Sequence, residues 1–386
     1  MPLSTFSPHR LLGIEGLPHA MRFSVLQGIL LLSWALPSAP WLIYAFGRPA
    51  VFWFGTGCII ASSFCLSFDQ TAFLVTGAAA RSLGYMWIDV TFEVMIMERI
   101  PRHALTRFET ARMFCIGIGL LIGPWLGVKL MLDFDAWATY SLVGALIGGL
   151  CLYITQAGLT NSLCGAGLRQ TAGQSTRKAT GLASEQAVQQ APPYPFRFIL
   201  LFLRQPRLRL AWILSFGRAG WWTMFFIYVP IYCVQTGLGA ELGGVILLLA
   251  ALAMLLVPIW GRLAQRIGVR WLLWLGYLIT GVTTLAVAAV AAVASPWFGV
   301  GLLLAASVSA SLLDAVGNAL FLRAARPLER AEMASVFLTY RETAQLIPPG
   351  ILAGLLGFFA LPVVFVASGC GMVALTWLTR HIPRRS

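Results

Sequence analysis

Eleven apolar stretches follow one another along the 386 residues, and each is about as long as a helix that crosses a lipid bilayer. The hydrocarbon core is about 30 Å thick, so a spanning helix needs roughly 20 predominantly apolar residues. Hydrophobic residues make up 59% of the chain and charged residues only 11%, which excludes an ordinary soluble domain. The sequence therefore predicts an all-α, polytopic membrane protein. Its spans lie near residues 23–46, 50–68, 72–98, 110–131, 137–156, 208–233, 240–261, 271–294, 297–322, 333–358 and 361–379.

Positive charge is concentrated in alternate connections between these spans. Lys and Arg number 27 against 14 Asp and Glu, which gives a formal net charge of +13. The basic residues form short clusters rather than one soluble basic face, so we expect a lipid bilayer and no nucleic acid as partner. Cytoplasmic loops of membrane proteins carry an excess of Lys and Arg. This preference predicts a protein of the plasma (cytoplasmic or inner) membrane, with residues 157–207 and the C-terminus in the cytoplasm.

Metal and nucleotide chemistry lack the residues they need. The seven Cys lie almost all inside apolar runs, with no C-x-x-C pair, and the four His lie in loops or near the ends. The phosphate-binding pattern Gly-x-x-x-x-Gly-Lys-Ser/Thr is also missing from the sequence. We therefore expect no metal site, no cofactor and no enzymatic activity.

An internal repeat divides the chain into two related halves. A shift of 221 positions aligns Gly47 with Gly268, and a shift of 233 aligns Leu-Thr-x-x-Glu-Thr-Ala at 105–111 with the same pattern at 338–344. Such duplication is typical of secondary transporters. Between the halves lies a polar stretch that is too rich in Gly, Ser, Thr and Gln to pack a core. The predicted parts are a five-span bundle at 1–156, a cytoplasmic linker at 157–207 and a six-span bundle at 208–386.

The N-terminal half counts one helix fewer than the C-terminal half. The repeat matches the first span, 23–46, to the seventh, 240–261, so the partner of the sixth span would precede residue 1. Two explanations remain open. Either the start of the chain is placed too late, or the chain is an eleven-span variant.

Three short motifs point to a known family. Gly261 to Arg270 carries Gly at 261 and 268 with basic residues beside them, Gly119 to Gly127 places Gly and Pro124 in one span, and Arg81 lies in the third span. With the two halves, these motifs resemble the major facilitator superfamily. The motif at Gly261 to Arg270 resembles the family's cytoplasmic loop signature, with Gln265 in place of the usual acid. The motif at Gly119 to Gly127 resembles the fifth-helix motif of its proton-coupled exporters. Arg81 resembles the arginine of its fourth-helix motif.

The resemblance implies two helical bundles, apparently without the family's first helix, that alternate access to a shared site. We expect a monomeric secondary transporter of a small organic solute, with protons as coupling ion and export as its direction. Glycine faces let helices approach closely, and proline frees a backbone carbonyl, which predicts hinges; ordinary helix packing is the alternative. The gating or hinge candidates are Gly123, Pro124, Gly127, Gly261, Arg262, Gly268, Pro348 and Pro349.

Ionisable side chains at bilayer depth mark the candidate pathway. Each costs roughly 2.5 to 3.5 kcal/mol to insert, so such groups normally face protein or a watery cavity. Arg81, Tyr85, Asp89 and Glu93 recur every four residues, which predicts a polar stripe on one helix face. A shift of 225 matches Asp89 and Glu93 to Asp314 and Asn318. Either Asp carries a proton, because low dielectric disfavours a charged carboxyl, or each is a paired strut.

Arg218 lies nine residues after Arg209, within the span 208–233, and Trp222 and other aromatic residues follow it. Its guanidinium could bind an organic anion or stack on a ring. Alternatively, it pairs with Asp89 or Asp314 while the aromatic residues face lipid. The other classes of function left open are a membrane-embedded enzyme acting on a lipid-linked substrate and a non-transporting or decayed transporter remnant.

Overall fold

The computed structural model describes residues 36–68, 71–100, 104–134, 136–156, 195–290, 295–325 and 329–382. Within these ranges the structure is helical and contains no strand, as predicted. Residues 23–35 of the first predicted span and 157–194 of the predicted linker lie outside the described residues. The helices are α1 (Leu36–Phe46), α2 (Arg48–Leu66), α3 (Thr71–Arg99), α4 (Leu105–Phe134), α5 (Ala136–Gln156), α6 (Pro195–Arg204), α7 (Pro206–Gln235), α8 (Ala240–Ala253), α9 (Val257–Ile267), α10 (Val269–Val290), α11 (Pro296–Asp314), α12 (Ala319–Ala324), α13 (Arg330–Leu356) and α14 (Pro362–Leu378).

Length and composition qualify six segments of the described chain as membrane spans. The other helices that cover predicted spans, α3, α4, α7 and α13, contain 27 to 30 residues, which is long enough to cross, and they carry ionisable groups. Large apolar side chains face outward, as contact with acyl chains requires; Phe358 is 86% exposed and Leu146 64%. The six segments are Arg48–Leu66, Trp137–Gln156, Glu241–Ile267, Val269–Val290, Pro296–Ala324 and Pro362–His381.

Helix boundaries repeat at the spacing that the sequence predicts. The C-terminal end of α9 lies 221 positions after that of α1 (267 − 46). The glycines that follow, Gly47 and Gly268, share a left-handed backbone with φ of 81° and 90°, a region that favours Gly because it lacks a Cβ. Likewise, the segment Pro296–Ala324 ends 225 positions after α3 (324 − 99). The structure therefore supports the internal duplication.

Contacts divide the chain into two compact units, which do not follow the two halves of the sequence. The first unit comprises residues 1–98, 127–202 and 327–338, and the second comprises 99–126, 203–326 and 339–386. The first part of α4 thus packs within the second unit. In that unit a continuous apolar core extends from Leu214 and Phe225 of α7 to Phe365 of α14.

Two spans of the second unit are interrupted where the sequence predicts continuous helices. A 3-10 turn at Met254–Leu256 separates α8 from α9. Residues 315–318 form turns between α11 and α12, so the predicted span 297–322 is not one helix. By contrast, α13 continues through Pro348 and Pro349, where the sequence predicts an interruption. Proline alone is therefore a poor guide to the breaks in this fold.

Two glycines bring α10 and α14 into backbone contact. A Cβ added at Gly369 would lie 2.9 Å from the Gly281 carbonyl oxygen, and one added at Gly281 would lie 3.0 Å from the Val373 amide nitrogen. Small residues at helix crossings permit this close approach in membranes, where packing rather than hydrophobicity drives association. Gly371, two residues further along α14, has no neighbour within 4 Å among the described residues.

Gly369→Val should therefore destabilise the second unit, whereas Gly371→Val should not. Overpacking a close contact typically costs about 1–3 kcal/mol, and both variants place the same residue in the same helix. Thermal unfolding of the detergent-purified protein measures the difference. An equal decrease in Tm for the two variants would contradict the close contact between α10 and α14.

Candidate functional site

A buried ion pair lies inside the second unit. Arg218 of α7 is 4% exposed, and its Nη1 lies 3.4 Å from Oδ1 of Asp314, the last residue of α11, which is also 4% exposed. Two opposite charges taken out of water require good geometry and further hydrogen bonds to offset their desolvation. The surroundings of the pair provide such bonds.

Each member of the pair has further partners. Trp222, one turn after Arg218, donates its indole N–H to Asp314 Oδ2 at 2.9 Å. Arg218 Nη2 donates to Asn318 Oδ1 at 3.1 Å and to the Tyr340 hydroxyl oxygen at 3.3 Å. The Tyr340 hydroxyl lies 3.3 Å from the same Asn318 oxygen and donates to it. The polar cluster therefore consists of Arg218, Trp222, Asp314, Asn318 and Tyr340, all of them buried.

The break between α11 and α12 shapes this polar cluster. Because the helix stops at Asp314, the Leu313 carbonyl keeps only a long turn bond to the Val316 N–H, at 3.4 Å, and it also accepts from Arg218 Nη1 at 3.4 Å. Gly317 lies in the turn, and a Cβ there would collide with the Arg218 guanidinium. The turn thus provides both an acceptor and the space for the cation.

One donor of the polar cluster has no partner. Asn318 is fully buried, and its Nδ2 makes no hydrogen bond to any described residue. Leaving a buried donor unsatisfied costs about 1–3 kcal/mol, so such a group at a polar site is a candidate for contact with a ligand. Glu109 of α4 adds to the electrostatic field at both Arg218 and Asp314.

The structure shows the pairing of Arg218 and the burial of the aromatic residues that follow it. The predicted pairing with Asp314 is present. The prediction that the neighbouring aromatic residues face lipid is wrong for Trp221, Trp222 and Phe225, which are at most 8% exposed. They are covered because α7 packs against α11 and α14 within the second unit, and Trp222 is held by its bond to Asp314.

The other predicted stripe lies on α3, in the first unit. Arg81 stacks over the ring of Tyr85, with 5.5 Å from Cζ to the ring centroid, and Tyr85 is 45% exposed. Asp89 is partly buried and Glu93 is 1% exposed. Burial therefore increases along the stripe towards Glu93. The repeat-matched helix differs, since α3 is continuous where α11 ends.

The predicted hinge candidates occupy different surroundings. Helix α4 continues through Gly123, Pro124 and Gly127, and the side chain of Pro124 lies outside the described residues. A Cβ added at Gly119 or Gly123 would have no neighbour within 4 Å in the described part. Gly117 instead packs against Met254, with 3.0 Å from an added Cβ to the Met254 Cβ.

The C-terminal hinge candidates lie in closer contacts. A Cβ on Gly261 would collide with the Thr110 side chain, and Gly220 packs on Pro348. The Tyr228 hydroxyl donates to the Pro349 carbonyl oxygen at 3.4 Å. Gly268 ends α9 with its left-handed backbone, and Arg262 is exposed on that helix. These contacts are those of packed helix crossings.

Sequence reasoning missed Tyr340 and the role of the 315–318 turn. Tyr340 lies at a variable position of the repeated Leu-Thr-x-x-Glu-Thr-Ala pattern, where the first copy has Arg107. Tyr340 lies between the Leu-Thr and Glu-Thr pairs that both copies share, on the helix that follows the span of Asp314. This location is the signal that could have identified it. The turn contains no proline, and its Gly317 is the only local sequence sign of a break.

Comparison with known proteins gives a consistent result. A family model described as Major Facilitator Superfamily matches residues 22–349. Among solved structures, the proton:xylose symporter XylE bound to 6-bromo-6-deoxy-D-glucose is similar over 95% of this chain and 85% of its own, with a TM-score of 0.69 and 13% identity. No curated protein matches the sequence.

Two further solved structures share the fold. The human organic anion transporter MFSD10 (TETRAN) matches 93% of this chain and 82% of its own, with a TM-score of 0.66 and 15% identity. A bacterial homologue of the iron transporter ferroportin, in an outward-facing state with soaked iron, matches 96% and 92%, with a TM-score of 0.66 and 16% identity. At these identities the likeness concerns the fold alone.

Gly317→Ala should disturb the polar cluster. The added methyl group meets both the Arg218 guanidinium and the Leu313 carbonyl oxygen, at 2.9 Å from the latter, so the ion pair must shift at a cost of about 1–3 kcal/mol. Gly301→Ala in α11, where no described atom lies within 4 Å, is the matched control. Thermal unfolding should show a lower Tm for Gly317→Ala only; unchanged stability of both variants would contradict the described cluster.

Proposed function

Since the chain belongs to the Major Facilitator Superfamily, an integral, multi-pass family of small-solute transporters, we propose that it moves a small organic anion together with a proton. It does so by alternating access, and the proton and the anion cross the membrane in the same direction. The polar cluster of Arg218, Trp222, Asp314, Asn318 and Tyr340 binds both the proton and the anion. The observation that carries this proposal is the buried Arg218–Asp314 ion pair.

The pair makes the site close to neutral when it is empty of solute. An isolated buried charge is strongly disfavoured inside a membrane, whereas a pair with added hydrogen bonds is tolerated. Any event that neutralises one partner therefore leaves the other in need of a new counter-charge. This requirement is the physical basis for coupling the proton to an anion.

Protonation of the Asp314 carboxylate supplies that event. The guanidinium of Arg218 then lacks its counter-ion, and an incoming carboxylate or similar anion restores neutrality by accepting two parallel N–H bonds. The unpartnered Nδ2 of Asn318 is a further donor for the solute. When the anion leaves, Asp314 releases its proton and pairs with Arg218 again.

Several groups surround Asp314 and would influence its proton. Arg218 and Trp222 approach from α7, and Glu109 acts from α4. Tyr340 of α13 holds the guanidinium on its other side. Arg218 bonds both to Asp314 and to the Asn318–Tyr340 pair. When Asp314 releases the guanidinium, the bonds to Asn318 and Tyr340 therefore still hold it in place.

The topology and assembly form part of the proposal. The basic connections favour a cytoplasmic C-terminus and a cytoplasmic segment 157–207 in the plasma (inner) membrane. A single chain supplies every member of the polar cluster, which favours a functional monomer. The similarity to a human organic anion transporter concerns its fold; the anion assigned here rests on Arg218.

The experiment uses proteoliposomes loaded with a pH-sensitive dye and offered a panel of small carboxylates, namely lactate, succinate and benzoate. We expect at least one carboxylate to move with a proton gradient faster than in protein-free liposomes, and the corresponding uncharged amide to move no faster than in protein-free liposomes. Asp314→Asn should abolish the coupling to pH. The anion assignment is refuted if the wild type transports amides and carboxylates equally, or if it transports neither.

A double variant distinguishes coupling from a structural strut. Arg218→Met with Asp314→Leu removes both charges, and apolar replacement of a buried ion pair is often neutral or stabilising. We expect this variant to keep its Tm and to lose pH-driven flux of the carboxylate. If it instead transports like the wild type, the pair is a strut and the proposed coupling is wrong.

A further inference from the structure

A basic groove lies in the second unit, apart from the polar cluster. It has a volume of about 360 Å³ and is formed by the first turns of α4 and by α9. Its charged members are Arg107 and Arg262, and Gln265 lies beside them. The remaining lining residues are Thr110, Ala111, Phe114, Pro258 and Gly261.

The two arginines of the basic groove have no counter-charge in the described structure. Both side chains are exposed, and neither forms an ion pair or hydrogen bond with a residue of the described ranges. The described residues that line the groove include no acid. Two like charges on adjacent helices repel each other, and this repulsion opposes the contact between α4 and α9 at Thr110 and Gly261.

The chemistry of the lining fits an amphipathic anion. The guanidinium groups present planar sets of N–H donors that match a phosphate. Ala111, Phe114 and Pro258 add an apolar wall beside them. Both arginines belong to the basic connections that the charge pattern places at the cytoplasmic surface, where anionic lipids attract Lys and Arg.

We propose that the basic groove binds the phosphate headgroup of an anionic phospholipid, which bridges Arg107 and Arg262. The bound headgroup replaces their repulsion by two attractive contacts. It thereby clamps the α4–α9 contact, with the first acyl carbons against Phe114. A carboxylate at position 265 would supply a negative charge to Arg107 and Arg262 from within the chain. Because the residue there is Gln265, which is uncharged, the two arginines need an anion from outside the chain.

The test measures thermal unfolding of the purified full chain in neutral detergent, titrated with phosphatidylglycerol or phosphatidylcholine. Phosphatidylglycerol should raise Tm and phosphatidylcholine should not. Arg107→Gln and Arg262→Gln should each weaken the apparent affinity for phosphatidylglycerol about fivefold, and the double variant by the product of the two. Arg266→Gln, an exposed arginine of α9 outside the lining, is the matched control and should leave the response unchanged.

Gln265→Glu provides the converse test. It should raise Tm without lipid and remove most of the further increase on adding phosphatidylglycerol. The proposal is overturned if the two lipids act equally on the wild type, or if the double variant keeps its response to phosphatidylglycerol. An equal response to inorganic phosphate at the same concentration would also overturn it, since the groove would then bind a free anion and not a lipid.

Discussion

Hydrocarbon cannot solvate a charge, and this constraint organises the second unit. Arg218 is tolerated in α7 because Asp314 lies 3.4 Å away and because Asn318, Tyr340 and the Leu313 carbonyl take its other N–H groups. Those acceptors come from α11, from the turn that follows it and from α13. The ion pair lies beside the break in the span Pro296–Ala324, and 72% of the most apolar window of this span is buried inside the protein.

The all-α membrane fold could be predicted from the sequence with few errors. Apolar runs of about 20 residues and the 221-position repeat predict the helices, and the C-terminal ends of α1 and α9 match that repeat. These features depend on local composition and on duplication, which a sequence displays directly. The division into contact units was harder to foresee, because residues 99–126 pack with the C-terminal helices.

The site was predictable only in part, for a physical reason. Arg218, Trp222, Asp314 and Asn318 stand out because polar groups are rare at bilayer depth. Tyr340 does not, since a tyrosine is common in membrane helices and its role depends on which helix it meets. The break at 315–318 contains no proline, although the Leu313 carbonyl beside it accepts a hydrogen bond from Arg218, whereas the prolines at 348 and 349, an obvious local signal, leave α13 continuous.

The central claim is that Asp314 takes up a proton when Arg218 binds an anion. Infrared difference spectroscopy of the reconstituted protein measures this directly, with the carboxylate that shows the largest flux as the added solute. The account predicts that a protonated carboxyl C=O band appears on binding in the wild type and is missing in Asp314→Asn. A carboxyl spectrum that does not change on binding, or a band that persists in Asp314→Asn, would contradict it.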